Sequence, residues 1–387
     1  MGAEKTPRRG GTGTGRGELI RESGPKPRTG STPPNVTRLH LHITCQECVQ
    51  IPLRRTFYKS GGLEVRVFIT GGSGYIGLEL CRRLAAAGHE LRCLVRPASH
   101  RESLEALGAT CFEGDLGDRY SMREGMSGAD WVVHAAAELS LRAPVAQMQA
   151  ANVAGSGNVA SLAYKLGVGR FLSVSSVAFF GGSPDDGNPA TEDGPFQPFP
   201  TRYSATKHAG QEAVLRWKQE GLRVNTVYPS LVYGPPGKKA GTNPLLRQVA
   251  NAWLPALVGA DRKASWIFIE DLVDGMLRVM ERAEVGRDFL LSGDVATIEE
   301  CAGRVAALAG VASPKRHLSV GQARLLTRLT TPLYRLKGRR PPIDLEQLRS
   351  LERHWCFDDT RARQELEWRP RSLAHGLPPT VEYLLSA

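Results

Sequence analysis

The run Glu64-Val-Arg-Val-Phe-Ile-Thr70 leads straight into Gly71-Gly-Ser-Gly-Tyr-Ile-Gly77. Its β-branched first half reads as a short strand, and Tyr75 to Ala87 reads as a helix, so the glycines fall in a strand-turn-helix setting. Gly71 lets the chain turn tightly, and Gly74 removes a side chain where backbone must approach a pyrophosphate. Gly77 lets the helix lie close to the sheet, and that helix's amino end favours an anion. A dinucleotide site is expected here, with Gly71, Gly74, Tyr75, Ile76 and Gly77 forming its floor.

Outward from this turn the pattern repeats. Gly88 ends the helix and His89–Val95 gives a second strand. Further strands are expected near 109–113, 129–135, 169–175 and 222–228, with helical patterns between them. Strand and helix alternating at roughly thirty-residue intervals predict an α/β fold, a doubly wound parallel sheet of Rossmann type with right-handed crossovers. Ligands of such sheets gather at the carboxyl ends of the strands. After about residue 235 the rhythm loosens. The expected organisation is a Rossmann domain over 64–240 and a smaller mixed α/β substrate lobe over 241–387, interleaved with that sheet.

Residues 1–63 read as a disordered basic extension. The first 35 are dominated by Gly, Thr, Pro and Arg without hydrophobic periodicity. Within the extension, His40, His42, Cys45 and Cys48 are spaced like four zinc ligands, but the second knuckle and core of a small zinc fold are missing, so no metal is assigned.

The chain's net charge of +11 invites a nucleic-acid reading. Residues 1–60, however, hold 11 Lys/Arg against 4 Asp/Glu, while the remainder holds 39 against 35. The excess belongs mostly to the extension, and no nucleic-acid partner is expected. Seven cysteines without a secretory start pattern suit reduced thiols and a cytoplasmic location, and no run of eighteen apolar residues implies a membrane span.

Several positions fit a nicotinamide cofactor and its chemistry. Val95-Arg96-Pro97 closes the second strand where an acidic residue would favour NAD. A guanidinium there suits a 2′-phosphate, so NADP is the expected cofactor, with NAD the alternative if Arg96 only stacks on adenine. Asp115 and Leu116 follow the third strand; Asp115 either meets the adenine amino group or caps the next helix. His134 reads as a satisfied core histidine, and Ala135, Ala136 and Ala137 leave room for the cofactor. Tyr203 and Lys207 lie one helical turn apart on one face, and a nearby ammonium favours a phenolate, giving a proton partner for hydride transfer to or from a carbinol carbon. Ser175 and Ser176 end the fifth strand beside the crevice. Asn152 either anchors a water relay to the lysine or packs as a helix amide.

Together these motifs resemble the extended short-chain dehydrogenase/reductases, the NAD-dependent epimerase/dehydratase family. They run in order: Thr70-Gly-Gly-Ser-Gly-Tyr-Ile-Gly77, His134-Ala-Ala-Ala137, Asn152-Val-Ala-Gly155, Val174-Ser-Ser176 with Gly181, and Tyr203-x-x-x-Lys207. Tyr228-Pro-Ser-Leu-Val-Tyr-Gly-Pro235, Phe268-Ile-Glu-Asp-Leu272 and Leu366-Glu-Trp-Arg-Pro370 come after them. The resemblance covers about residues 64–387. It implies that Tyr203 is the general acid/base and Lys207 its partner and ribose ligand. Ser176, rather than Ser175, takes the substrate-orienting position, and Pro229 to Val232 line the nicotinamide. It also implies a homodimer through the helices of the Asn152 and Tyr203 segments.

Two departures narrow the reading. Val177-Ala178 stand where the family's dehydratases carry an Asp-Glu pair. Tyr228 replaces the usual Arg, and Phe179-Phe180 the usual Val-Tyr, which makes the expected pocket more apolar. Glu138, Phe179, Phe180 and Ser230 are expected to line it. Val95-Arg-Pro97 and the basic C-terminal region look most like the 3β-hydroxysteroid dehydrogenase and dihydroflavonol reductase branch, implying a small-molecule ketone or secondary alcohol on a bulky apolar frame. Leu318, Leu325, Leu329, Leu333 and Leu336 recur at near-helical spacing beside Arg324, Arg328 and Arg335, which adds peripheral membrane contact through 318–336 as an expectation. A nucleotide-sugar epimerase retaining its NAD is the first alternative, and a non-catalytic dinucleotide-sensing or RNA-associated scaffold the second.

Overall fold

The computed structural model describes residues 64–386 apart from Arg340 and Pro342; the extension and its His40, His42, Cys45 and Cys48 lie outside the described residues. The central sheet uses β1 (Arg66–Thr70), β2 (Glu90–Val95), β3 (Thr110–Glu113), β4 (Trp131–His134), β5 (Arg170–Val174), β6 (Val224–Pro229) and a later strand, β9 (Asp288–Leu291). Their order is β9-β6-β5-β4-β1-β2-β3, and every neighbouring pair is parallel. Val67, Phe68 and Ile69 of β1 are all buried, which is why that strand reads as a continuous apolar run rather than an alternating one. β9 arises beyond residue 240, so the sheet draws one strand from the C-terminal region.

A second sheet stacks β7 (Leu231–Tyr233), β8 (Lys263–Phe268) and β10 (Asp294–Thr297) in the order β10-β8-β7. It is mixed: β8 runs parallel to β7 and antiparallel to β10. Its core gathers Tyr233, Trp266, Phe268, Cys301 and Leu377.

The helices that matter to the site are α1 (Tyr75–Ala86), α2 (Arg119–Met126), α3 (Ser156–Lys165), α4 (Arg202–Gln219) and α5 (Asn243–Ala250). Further along come α6 (Ile269–Arg282), α7 (Ile298–Leu308), α8 (Val320–Leu336), α9 (Leu345–Ser350) and α10 (Leu373–Leu385). Leu80 and Leu84 of α1 share one core with Leu272, Val273 and Met276 of α6. Trp368 is fully buried there and donates from its indole to the Asp271 carbonyl at 2.8 Å, so the chain's closing motif clamps α6 in place. A π-helical stretch, Gln149–Gly155, leads directly into α3.

The candidate active site

The cofactor end is built by omission. Gly71 has φ +77°, and a Cβ there would lie 2.6 Å from the Ala136 nitrogen. A Cβ on Gly77 would lie 2.0 Å from the Gly71 carbonyl oxygen, so α1 can start this close to β1 only without one. Gly74 is exposed and caps α1 with extended backbone, no side-chain cap and no acidic residue in the first turn. The helix's first N–H groups are therefore left to a ligand, and an anion fits them. These features fit the pyrophosphate of a dinucleotide.

The neighbours sort themselves around this cradle. Tyr75 turns its side chain away, its hydroxyl donating to the Gly234 carbonyl at 2.6 Å, and burial pushes its pKa up. Its side chain is thus engaged elsewhere, leaving its backbone for the cradle. Ile76 packs on the core. Arg96 is exposed at the end of β2 with no carboxylate partner among the described residues, whereas nearby Arg101 pairs with Glu113 at 3.2 Å. Asp115 takes the Gly117 N–H at 2.7 Å on one oxygen. The helix cap belongs to Asp118, which accepts from the Tyr120 nitrogen at 2.8 Å, so the capping alternative for Asp115 is set aside. Asn158 of α3 donates to the Leu116 carbonyl at 2.9 Å. Ala135 and Ala136 are held to the end of β1, the Ala135 nitrogen donating to the Thr70 carbonyl at 3.1 Å; Ala137 comes next, half-buried.

The other end is built from side chains. Thr201 caps α4, its hydroxyl accepting from the Ser204 nitrogen at 3.1 Å, and this cap sets Tyr203 in the first turn with Lys207 one turn on. The Ser176 hydroxyl neighbours the Tyr203 phenol. It also accepts from the Ala178 nitrogen at 3.2 Å as the cap of a short 3-10 turn, Val177–Phe180. Lys207 donates to the Val174 carbonyl at 3.4 Å. The expectation of a phenol held low by its lysine needs correcting for the protein alone. Burial dominates, pushing Tyr203 up to about 12 against the opposing pull of Ser176, and the same cause lowers Lys207 to about 8.

His134 is the satisfied core histidine expected of it. Its Nδ1 is 2.8 Å from the Thr70 hydroxyl and its Nε2 2.9 Å from the Ser156 hydroxyl. Burial lowers its pKa to about 3, with Lys207 adding to the effect. Asn152 is likewise engaged: its oxygen accepts from the Glu138 nitrogen at 2.7 Å, and its amide nitrogen donates to the Glu138 carbonyl and to the Thr206 hydroxyl, each at 3.1 Å. It thereby pins the loop after β4 to α4. A cavity of about 10 Å³, the size of one water, lies between Asn152, His134, Ser175, Lys207 and Gln211. Ser175 lines it with a buried hydroxyl that has no partner among the described residues.

The expected substrate wall is rearranged. Phe180 is fully buried and Phe179 nearly so, in an aromatic cluster with Tyr228 and Phe357, so neither presents an open face. The exposed aromatic surface beside α4 comes instead from Phe196 (52%) and Phe199 (40%), and Phe199 packs on His208 with ring centres 4.7 Å apart. Glu138 is half-buried, its carboxylate taking the Ser140 nitrogen at 2.9 Å and the Gln147 amide at 2.6 Å. Ser230 donates to the Ser292 carbonyl at 2.7 Å; Pro229 ends β6 and Val232 is buried in β7.

The motif reading passed over Thr70, Thr206 and Gly210. A Cβ on Gly210 would lie 2.0 Å from the Asn152 carbonyl oxygen, so α4 meets the π-helical stretch backbone to backbone. Thr206 stood inside the Tyr-x-x-x-Lys spacer and Thr70 at the head of the glycine run, positions that drew attention only to their neighbours.

The model of the NAD dependent epimerase/dehydratase family matches residues 67–292, from β1 through the end of β9. The chain belongs to that family. It is an NAD(P)-dependent enzyme of the extended short-chain dehydrogenase/reductase type. A 4-hydroxy-2-methyl-3-oxo-4-farnesyl-3,4-dihydroquinoline-1-oxide ketoreductase of Stigmatella aurantiaca is 29% identical, over 79% of this chain and 92% of that one. A UDP-glucose 4-epimerase of Mycolicibacterium smegmatis is 27% identical, over 82% and 98%. The crystal structure of gox2253 superposes with a TM-score of 0.71 at 28% identity, covering 83% of this chain and 98% of that chain. Among the described residues no helix is long and apolar enough to cross a membrane.

Proposed function

We propose that this family member reduces a ketone, or oxidises the matching secondary alcohol, on a bulky apolar substrate. The observation that carries the reading is Tyr203 in the first turn of α4 with Lys207 one turn on, Ser176 neighbouring the phenol, and the glycine cradle at the other end of the sheet's edge. The nicotinamide, when bound, gives or takes the hydride. Tyr203 exchanges the proton on the substrate oxygen, and Ser176 holds that oxygen in line. Lys207, one turn on in α4, would hold the ribose of the cofactor, and Asn152 fixes the loop carrying Glu138. Arg96, exposed and without a carboxylate partner, favours the 2′-phosphate of NADP(H).

An apolar substrate is supported by the exposed rings of Phe196 and Phe199 beside the catalytic helix and by the farnesyl-bearing ketone in the Stigmatella relative's name. Val177 and Ala178, both buried, offer no acid/base pair after Ser176, which speaks against dehydration. The second reading, sugar epimerisation, rests on the Mycolicibacterium relative. A homodimer is proposed through α3 and α4, along a groove of about 590 Å³ bordered by Val153, Gly157, Ala213 and Trp217.

The test is oxidation of NADPH and of NADH, run separately, across ketosteroids, β-keto lipids and nucleotide sugars. Cofactor consumption in step with an apolar ketone is expected. Purification with NAD firmly retained, and no net consumption while a nucleotide sugar is converted, would overturn the reading in favour of epimerisation.

A further inference from the structure

Helix α8 carries three sets of residues at the same spacing, each one position after the last. Ala323, Thr327 and Tyr334 form the first set, and Arg324, Arg328 and Arg335 the second. Leu325, Leu329 and Leu336 form the third, with Leu326 and Leu333 beside them. Successive helical positions differ by about 100°, so the three sets occupy three neighbouring faces. The first face packs inward: Ala323 and Thr327 are buried and Tyr334 is half-buried. The third face points nearly the opposite way, and its leucines are 53–86% exposed.

An exposed leucine stripe on a folded domain calls for a covering partner. The charge pattern identifies one. Residues 314–343 contain eight Lys/Arg and no Asp/Glu. Of the α8 arginines only Arg324 has a carboxylate partner among the described residues, Glu352; Arg328 and Arg335 are exposed beside the stripe. The helix is also well formed at its start, with Ser319 and Gln322 closing a reciprocal capping box at 2.9 and 3.1 Å.

We propose that α8 docks this protein on an anionic lipid surface. The leucines enter the acyl boundary, and Arg328, Arg335, Lys337 and Arg339 lie at headgroup level. The helix sits between its own domain on one side and the lipid on the other. The chain leaving α8 reaches the active site at once. Arg142, four residues after Glu138, donates to the Pro341 carbonyl and the Asp344 carboxylate, each at 2.9 Å. Glu346 of α9 accepts from the backbone nitrogen of Arg202, next to Tyr203, at 2.5 Å. Docking at α8 therefore holds the catalytic helix's amino end close to the membrane surface. The inference goes beyond the oxidoreductase reading and does not depend on it.

The test is sedimentation of the full chain with vesicles of phosphatidylcholine alone and of phosphatidylcholine mixed with phosphatidylglycerol. Binding to the mixed vesicles, weakened by high salt, is expected. Leu329→Gln with Leu333→Gln, which leaves the charge unchanged, should lower that affinity by about tenfold or more. An unchanged thermal midpoint confirms that the variant is folded. Mixed-vesicle binding retained by the variant would assign the contact to the basic residues of 1–63 and overturn the proposal. So would no binding by the wild type, or a later elution of the variant than of the wild type on size exclusion, which would mean that the stripe joins two copies.

Discussion

The two ends of the sheet's open edge are made in opposite ways. At β1 and α1 the cradle exists because side chains are missing, and its contacts are backbone to backbone: Gly71 against Ala136, Gly77 against Gly71. At β5 and α4 the site exists because side chains are present, Ser176 neighbouring Tyr203, and tied together, His134 with Thr70 and Ser156, Asn152 with Glu138 and Thr206. On the proposed reading one region holds the cofactor and tolerates no bulk, and the other moves protons and depends on each group's environment. Substitutions should therefore separate holding from turning over, and only the second region should respond to pH.

The largest separation is expected from Tyr203→Phe. Turnover should fall by about 10²–10⁴ while cofactor affinity, read by nicotinamide fluorescence, stays near wild type. Equal loss of both would show that the two regions are not distinct.

His134 tests the pH contrast. Its folded-state pKa, about 3, lies below the ordinary 6.5. The unfolded chain thus binds the extra proton, so the stabilisation from the neutral ring is whole above pH 6.5 and lost as pH falls toward 3. The loss is on the order of 5 kcal/mol over that whole range. In urea titrations His134→Asn should be the less stable protein at pH 7, with the gap closing on acidification; a constant gap would break the assignment.

Gly77→Ala probes the cradle. A Cβ pressed against the Gly71 carbonyl should cost about 3 kcal/mol of stability and weaken cofactor binding, with no change in the shape of the pH profile. The smallest effect is expected at the rim, where Arg96→Gln should reduce the preference for NADPH over NADH by about tenfold. An unaltered ratio would remove Arg96 from cofactor choice.

The cradle was legible because glycine spacing after a strand reports a local backbone need. The strands expected near 109–113, 129–135, 169–175 and 222–228 appear as β3, β4, β5 and β6 within about two residues; β4, β5 and β6 are buried on both faces and so are written as apolar runs, while β3 is a half-exposed edge. The side-chain corner was legible only in part. Tyr203, Lys207 and Ser176 stand in short motifs. The hold of Glu346 on Arg202, 144 residues apart, leaves no local trace. Phe179 and Phe180 were misplaced because an aromatic pair after a strand looks the same whether it faces a ligand or a cluster such as Tyr228 and Phe357. The π turn was invisible because Gln149–Gly155 continues the helical pattern on either side of it, and nothing in the composition marks the wider winding.

That turn has a consequence for how the chain can change length. Gln149–Gly155 accommodates one residue more than the α-helix around it. Losing a single residue there would heal the winding rather than break it, so the deletion would be tolerated by folding. Yet the residues within the turn would be re-aimed, and the amide now aimed at both Glu138 and Thr206 could no longer serve the two together. A shortened protein would keep its shape and lose its alignment.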